Sequence, residues 1–182
     1  AILPQNRRLP FADIAALESF DFSQVAAVIV EPIQSMSGIR CAPREWFVRL
    51  RELTAAAGTW LIFDEIQTGM SRMGVPSAAE FYGVQPDAIS LAKGLASGVP
   101  IGATVLSAER AAAVKAGDLG STFGGGPLAM AALTETIAVI RDEELARRAA
   151  EVGARLKQSL PGKAVAGVQG EGLLLGVRTH GP

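Results

Sequence analysis

Apolar runs of strand length alternate with helix-like segments along this chain, and this alternation restricts the possible folds more than any other feature. The runs lie at 25–32, 59–65, 87–93 and 101–107, and a helical pattern fills 43–58 between the first two. Continuous apolar strands joined by helical crossovers are typical of a parallel sheet that is buried on both faces. We therefore predict an α/β fold with a mostly parallel sheet flanked by helices.

The later part of the chain is predicted to be mainly helical. A helical pattern starts at residue 127, and an amphipathic helix follows a break near Arg141. Proline and glycine then precede a last strand-like stretch. We predict a large domain over 1–141 and the start of a small α+β domain over 142–182. Residues 94–100, between the last two apolar runs, are predicted to form a loop.

The charge balance and the scarcity of cysteine and histidine narrow the possible functions. Lys plus Arg number 17 and Asp plus Glu number 18, so no strong net field attracts nucleic acid or an anionic membrane. A single cysteine, Cys41, and a single histidine, His180, make no zinc-ligand cluster of familiar spacing, and no metal site is predicted. Since no apolar run reaches about 18 residues and no secretory signal pattern is present, we expect a cytoplasmic protein that acts on small molecules.

Charged residues follow three of the apolar runs, where strands of a parallel sheet would end. Glu31 follows the first run, Asp64 and Glu65 end the second, and Lys93 ends the third. Ligands bind outside the carboxyl ends of strands in open parallel sheets, and successive residues of a strand point to opposite faces. Only one of Asp64 and Glu65 is therefore expected to face a ligand. Each charge taken alone is also compatible with a strand end that emerges into water.

Lys93, Asp64 and a glycine-rich segment together suit pyridoxal phosphate. Desolvation at the mouth of an apolar sheet favours the neutral amine of a lysine, which forms a Schiff base with an aldehyde. A carboxylate such as Asp64 pairs with the pyridine nitrogen, and GSTFGGGP (120–127) offers hydroxyls and a helix start to a phosphate, although a capped helix after a glycine loop explains it equally well. The chain has neither G-x-x-x-x-G-K-[ST] nor G-x-S-x-G, which argues against a P-loop ATPase and a serine hydrolase.

Four blocks in series resemble the class III aminotransferases, the fold-type I pyridoxal phosphate enzymes that include acetylornithine, ornithine and 4-aminobutyrate aminotransferases. The blocks are EPIQ (31–34), LIFDEIQTGMSRMG (61–74), PDAISLAKGLASGVPIGA (86–103) and GSTFGGGPLAMAA (120–132). Their order, spacing and local sequence all agree with the family. The resemblance extends over essentially the whole chain and implies that an amino group moves between an amino acid or ω-amino compound and a 2-oxo acid.

The resemblance also implies roles for individual residues. Lys93 would carry the cofactor as a Schiff base, the internal aldimine, and Asp64 would hold the pyridine nitrogen, so that both count as catalytic. Gln67 would lie near the 3-hydroxyl of the ring. Thr122, with Ser121 as a helper, would bind the phosphate of the cofactor in the neighbouring subunit, which implies a homodimer.

The stretch after EPIQ departs from the family pattern. Acetylornithine- and ornithine-type enzymes usually continue with Gly-Glu, whereas this chain has Ser35 and Met36. In the family, that glutamate is thought to mask an arginine and so to influence the choice of amino donor. We therefore regard Glu31, Met36 and Arg40 as candidate substrate residues.

The reaction itself stays open at the level of the sequence. A class III decarboxylase, aminomutase, racemase or phospho-lyase would use the same Asp64, Gln67 and Lys93. A catalytically incomplete homologue and a Lys93 aldolase without pyridoxal phosphate are further alternatives. Because the chain begins at Ala1 and lacks segments that the family has before and after it, we expect a fragment that is inactive alone.

Overall fold

The structure, a computed structural model, describes residues 6–162 and 164–180. In this part of the chain the strands are β1 (Ala27–Val30), β2 (Ile33–Gln34), β3 (Arg40–Cys41), β4 (Trp60–Asp64), β5 (Ala88–Leu91), β6 (Ala103–Leu106), β7 (Val165–Glu171) and β8 (Leu174–Thr179). The α-helices there are α1 (Ile14–Ser19), α2 (Arg44–Ala56), α3 (Ala78–Tyr82), α4 (Ala108–Ala112), α5 (Pro127–Asp142) and α6 (Leu145–Ser159). Short 3-10 helices lie at Ser35–Ser37 and Lys93–Ala96.

The main sheet has the strand order β1-β4-β5-β6. β4 pairs in parallel with both β1 and β5, and β6 runs antiparallel to β5 at the edge. The helix α2 makes the crossover from β1 to β4 that parallel pairing requires. The prediction of an α/β fold with a mostly parallel sheet is therefore confirmed.

The core lies between α2 and one face of the sheet. Leu61 and Phe63 of β4 and Phe47 of α2 are 0% exposed, and the rings of Phe47 and Phe63 are 5.6 Å apart between centroids. Burial of a side chain of this size stabilises the fold by about 1.5–3 kcal/mol. The opposite face carries Ile29, 68% exposed, and Ile62, which pairs with it in register. Asp64 shares this second face because side chains alternate along a strand.

Some short elements differ from the predictions. The predicted loop over 94–100 is wrong at its start, because Lys93–Ala96 form a 3-10 helix. The helices α1 and α3, of 6 and 5 residues, are too short to show a helical period in the sequence. Their N-termini are nevertheless capped by side chains, since Asp13 and Ser77 accept hydrogen bonds from the backbone three residues later.

The helices α5 and α6 meet close to the predicted break. Glu144 lies between them with a left-handed φ of 51°. The helix α6 buries Ala149 and Gly153, and Gly153 packs against the turn at Gly172 between β7 and β8, where an added Cβ would lie 2.0 Å from the Gly172 carbonyl oxygen. The division into domains near residue 142 stays a prediction. Within the described ranges, no helix combines the length and apolar character needed to cross a bilayer.

Candidate active site

The two carboxylates at the end of β4 have separate environments. Glu65 is 1% exposed, and its carboxylate accepts hydrogen bonds from Ala78 N at 2.6 Å, Ala79 N at 3.1 Å and Thr68 Oγ1 at 3.3 Å. Burial raises the pKa of Glu65, and these three hydrogen bonds oppose that effect. Glu65 thus binds the start of α3 and fixes the connection that carries residues 66–77. It is a structural residue, whereas Asp64 is only partly buried.

One carboxylate oxygen of Asp64 accepts no hydrogen bond from the described residues. Its Oδ1 accepts from Ile66 N at 3.1 Å and from Ser90 Oγ at 3.4 Å. Among residues 6–162 and 164–180, none donates to Oδ2. The two hydrogen bonds to Oδ1 orient the carboxylate, and Oδ2 is available to a donor on a ligand.

Lys93 lies beyond the carboxyl end of β5, the strand next to Asp64. Ser90 pairs in register with Asp64, three residues before the lysine. Lys93 is exposed and has a left-handed φ of 51°. A non-glycine residue in this conformation costs about 1 kcal/mol or more and persists where the surroundings determine it, often at functional sites. The hydroxyl oxygens of Ser97 and Thr136 lie 3.0 Å apart and join the end of the 3-10 helix Lys93–Ala96 to α5.

Lys93 and Gln67 line the same cavity, which has a volume of about 1100 Å³. Residues of α5 and α6 also line this cavity, among them Thr136 and Ala149. Asp64 does not line this cavity. The structure therefore brings Lys93 and Gln67 to one space, and it places Asp64 at the adjacent strand end on the open face of the sheet.

Gln67 is held by a chain of hydrogen bonds that reaches back to Glu31. The amide Nε2 of Gln67 donates to Ser35 Oγ. Ser35 in turn donates to Glu31 Oε2, from its backbone N at 3.3 Å and from its hydroxyl at 3.4 Å. Glu31, a candidate substrate residue, is thus engaged within the protein. Sequence reasoning identifies Ser35 only as a departure from the family pattern and does not connect it to its partners, because they lie 4 and 32 residues away and no local pattern joins them.

The other two substrate candidates are exposed. Met36 is 91% exposed at the middle of the 3-10 helix Ser35–Ser37. Arg40 is also exposed, and its guanidinium carbon lies 5.8 Å from the centroid of the Phe11 ring. Neither residue lines the cavity that contains Lys93.

The phosphate-binding candidates lie in an exposed segment before α5. Ser121 Oγ accepts from Gly124 N at 2.9 Å, which closes a local turn. Thr122 is exposed beside it, and α5 begins at Pro127. Neither Ser121 nor Thr122 lines the cavity with Lys93.

Comparison with known proteins gives consistent matches. A sequence model of the family described as aminotransferase class-III matches residues 5–182. The acetylornithine aminotransferase of Methanopyrus kandleri is 42% identical over 179 residues, which cover 97% of this chain and 46% of that protein. The chain spans about half the length of the curated relatives it matches, 46% and 47% for two of them.

Solved structures agree in fold. The acetylornithine aminotransferase from Elizabethkingia anophelis matches with a TM-score of 0.87 and 34% identity over 96% of this chain and 46% of that one. An ornithine aminotransferase from Toxoplasma gondii, described with partial occupancy of PLP at its active site, matches with a TM-score of 0.84 and 40% identity over 93% of this chain and 42% of that one. Because the family model matches residues 5–182 and the solved structures share its fold, the chain belongs to the class III aminotransferase family, of fold type I.

Proposed function

We propose that the protein containing this chain is a pyridoxal phosphate-dependent aminotransferase. It would move an amino group from an amino acid or ω-amino compound to a 2-oxo acid. The observation that carries the proposal is the position of Asp64 and Lys93 at the carboxyl ends of neighbouring parallel strands in a class III chain. Ligands bind at these ends in open α/β sheets.

The described residues suit the cofactor. Asp64 Oδ2 can accept from a protonated ring nitrogen, and Lys93 provides a primary amine for the aldehyde. The amide of Gln67 would donate to the ring oxygen, and the hydroxyls of Ser121 and Thr122 near the start of α5 would bind a phosphate from the neighbouring subunit of a homodimer. When bound, pyridoxal phosphate supplies an electron sink for the carbanion formed at the substrate.

The chain's own residues provide the charge and the proton transfers. The carboxylate of Asp64 stabilises a positive charge at the ring nitrogen, and its hydrogen bonds from Ile66 and Ser90 keep it in place during turnover. The Nζ of Lys93 would act as the general base and acid, taking a proton from the substrate α-carbon and returning it in the course of the reaction. Asp64 and Lys93 would serve both the amino donor and the 2-oxo acid acceptor, because the acceptor reverses the steps that the donor undergoes.

The proposal is tested by covalent trapping of the cofactor on the whole protein. After incubation with pyridoxal phosphate and reduction with borohydride, peptide mass spectrometry should find the adduct on Lys93. The Lys93→Ala variant should carry none and should lose turnover by at least about a thousandfold, since both the nucleophile and the general base are removed. Lys115→Ala, which removes an exposed lysine outside the cavity, is the matched control and should behave as wild type.

Two results would contradict the proposal. One is turnover by Lys93→Ala at the wild-type rate. The other is a folded wild-type protein that forms no adduct on Lys93.

A further inference from the structure

Ser35 joins Glu31 to Gln67 at the edge of the candidate site. It follows β2 directly and opens the 3-10 helix Ser35–Ser37. It is partly buried, whereas Met36 and Ser37 of the same turn are exposed. Ser35 is therefore the residue of this turn whose side chain is directed into the protein, where it contacts Gln67.

The direction of the hydrogen bonds in this chain follows from the chemistry of its members. The Glu31 carboxylate only accepts, and it receives both the N–H and the O–H of Ser35 on Oε2. The single hydroxyl hydrogen of Ser35 is thereby used, so Oγ can only accept in its contact with Gln67. Gln67 must therefore present its NH2 group to Ser35, which assigns the orientation of the amide from the network.

We propose that Ser35 is a positioning residue that fixes the Gln67 amide toward the cofactor, with Glu31 as its anchor and not as a substrate-binding group. This inference rests on the proposed function. One Nε2 hydrogen of Gln67 is bound to Ser35, and the second stays available to donate to an anionic ring oxygen. Rotation of the amide by half a turn would break the Ser35 bond and would direct a carbonyl oxygen, an acceptor, toward the same ring oxygen.

The turn that carries Ser35 is held independently of the hydroxyl. Ser35 O accepts from Gly38 N at 3.3 Å and from Ile39 N at 3.2 Å. Gln169 Nε2 also donates to Gly38 O at 2.5 Å from the β7–β8 hairpin. Removal of the Ser35 hydroxyl therefore alters the orientation of Gln67 while the backbone of the turn stays in place.

The test uses matched variants of the whole protein and two measurements. Ser35→Ala removes the bridge, Ser35→Thr keeps a hydroxyl, and Ser37→Ala makes the same change at an exposed position of the same turn. The first measurement is the side-chain amide NMR signal of Gln67 without cofactor, identified by its loss in Gln67→Leu. The second is the dissociation constant of pyridoxal phosphate from an absorbance titration.

Ser35→Ala should shift the Gln67 amide signal toward that of a solvent-exposed glutamine and should weaken pyridoxal phosphate binding about fivefold, the effect of one hydrogen bond. Ser35→Thr and Ser37→Ala should stay within about twofold of wild type. Glu31→Gln provides a second variant, because a neutral amide competes with Gln67 for Ser35 Oγ and should also shift the Gln67 signal.

The outcomes separate the inference from the proposed function. If wild type binds pyridoxal phosphate but Ser35→Ala matches Ser37→Ala in either measurement, only the inference is overturned. If folded wild type binds no pyridoxal phosphate, the proposed function is overturned and the positioning role falls with it, while the Gln67 signal still tests the contact with Ser35.

Discussion

Asp87 links three elements around β5, the strand that leads to Lys93. It is 8% exposed and directly precedes β5. Its Oδ2 accepts from Arg51 of α2 at 2.7 Å and from Leu61 N of β4 at 2.8 Å, and its Oδ1 accepts from Arg110 of α4 at 2.9 Å. We predict that Asp87→Ala strongly destabilises the protein.

The magnitude follows from what the substitution leaves behind. The guanidinium groups of Arg51 and Arg110, with side chains 22% and 25% exposed, would lose the Asp87 carboxylate, and Leu61 N–H would lose its acceptor. Arg110 would keep Glu109, whose carboxylate lies 3.7 Å away. Removal of one partner of a buried ion pair costs about 3–5 kcal/mol. Because both guanidinium groups keep some contact with water, we expect the lower end of this range, about 3 kcal/mol.

Urea unfolding at pH 7 measures this free energy, with Asp142→Ala as the control. Asp142 pairs with Arg141 on the surface, where the two side chains are 63% and 74% exposed, and such pairs contribute little to stability because water and salt screen them. The reasoning is refuted if the free energies of unfolding of the two variants differ by less than about 1 kcal/mol, since a doubly paired buried carboxylate would then count no more than an exposed one.

The pH dependence gives an independent check. Burial raises the pKa of Asp87, but the hydrogen bonds from Leu61, Arg51 and Arg110 outweigh it, and the pKa lies below its ordinary value of 3.8. A lowered pKa means that the stabilisation is present above pH 3.8 and is lost as the pH falls through the native pKa. The difference in unfolding free energy between wild type and Asp87→Ala should therefore narrow below that pH.

Two further predictions concern Gly153 and Glu65. In Gly153→Ala the new Cβ would lie 2.0 Å from the Gly172 carbonyl oxygen, so we expect a loss of about 2 kcal/mol in urea unfolding, whereas Gly120→Ala, with no atom within 4 Å, should match wild type. Burial holds the pKa of Glu65 above its ordinary value of 4.5. The contribution of Glu65 to stability is therefore present below pH 4.5 and is lost as the pH rises through the native pKa. The advantage of wild type over Glu65→Gln in urea unfolding should thus be smaller at pH 8 than at pH 4, and an equal advantage at both would contradict this cause.

The parts of the fold that were predictable are those with strong local patterns. Continuous apolar runs identify β1, β4, β5 and β6, and the alternation along β4 separates Asp64 from Glu65. The direction of β6 is not encoded in such a run, since apolar strands of either direction look alike. The short connection between β5 and β6 was the available signal, because a parallel pairing needs a crossover of a dozen or more residues.

The candidate site was predictable at the strand ends and not between distant segments. Asp64 and Lys93 follow apolar runs, so the rule for parallel sheets finds them. The contact between Ser35 and Gln67 joins residues 32 positions apart, and it depends on where β2 and the segment after β4 come together. The placement of Met36 and Arg40 in solvent likewise depends on the turn that β2 and β3 enclose.

The alternation at the end of β4 also determines which changes of chain length this protein tolerates. Deletion of one residue between Trp60 and Asp64 would bring the glutamate to the position of Asp64 and the aspartate to the buried position of Phe63, whereas insertion of one residue would bring the aspartate to the position of Glu65. An aspartate is one methylene shorter than Glu65 and would fall short of the α3 amides that lie 2.6 and 3.1 Å from the present carboxylate. Indels among homologous chains are therefore expected in the exposed stretch 113–119, which ends before the phosphate-binding candidates, and not in β4, whose length sets the identity of the acid at the site.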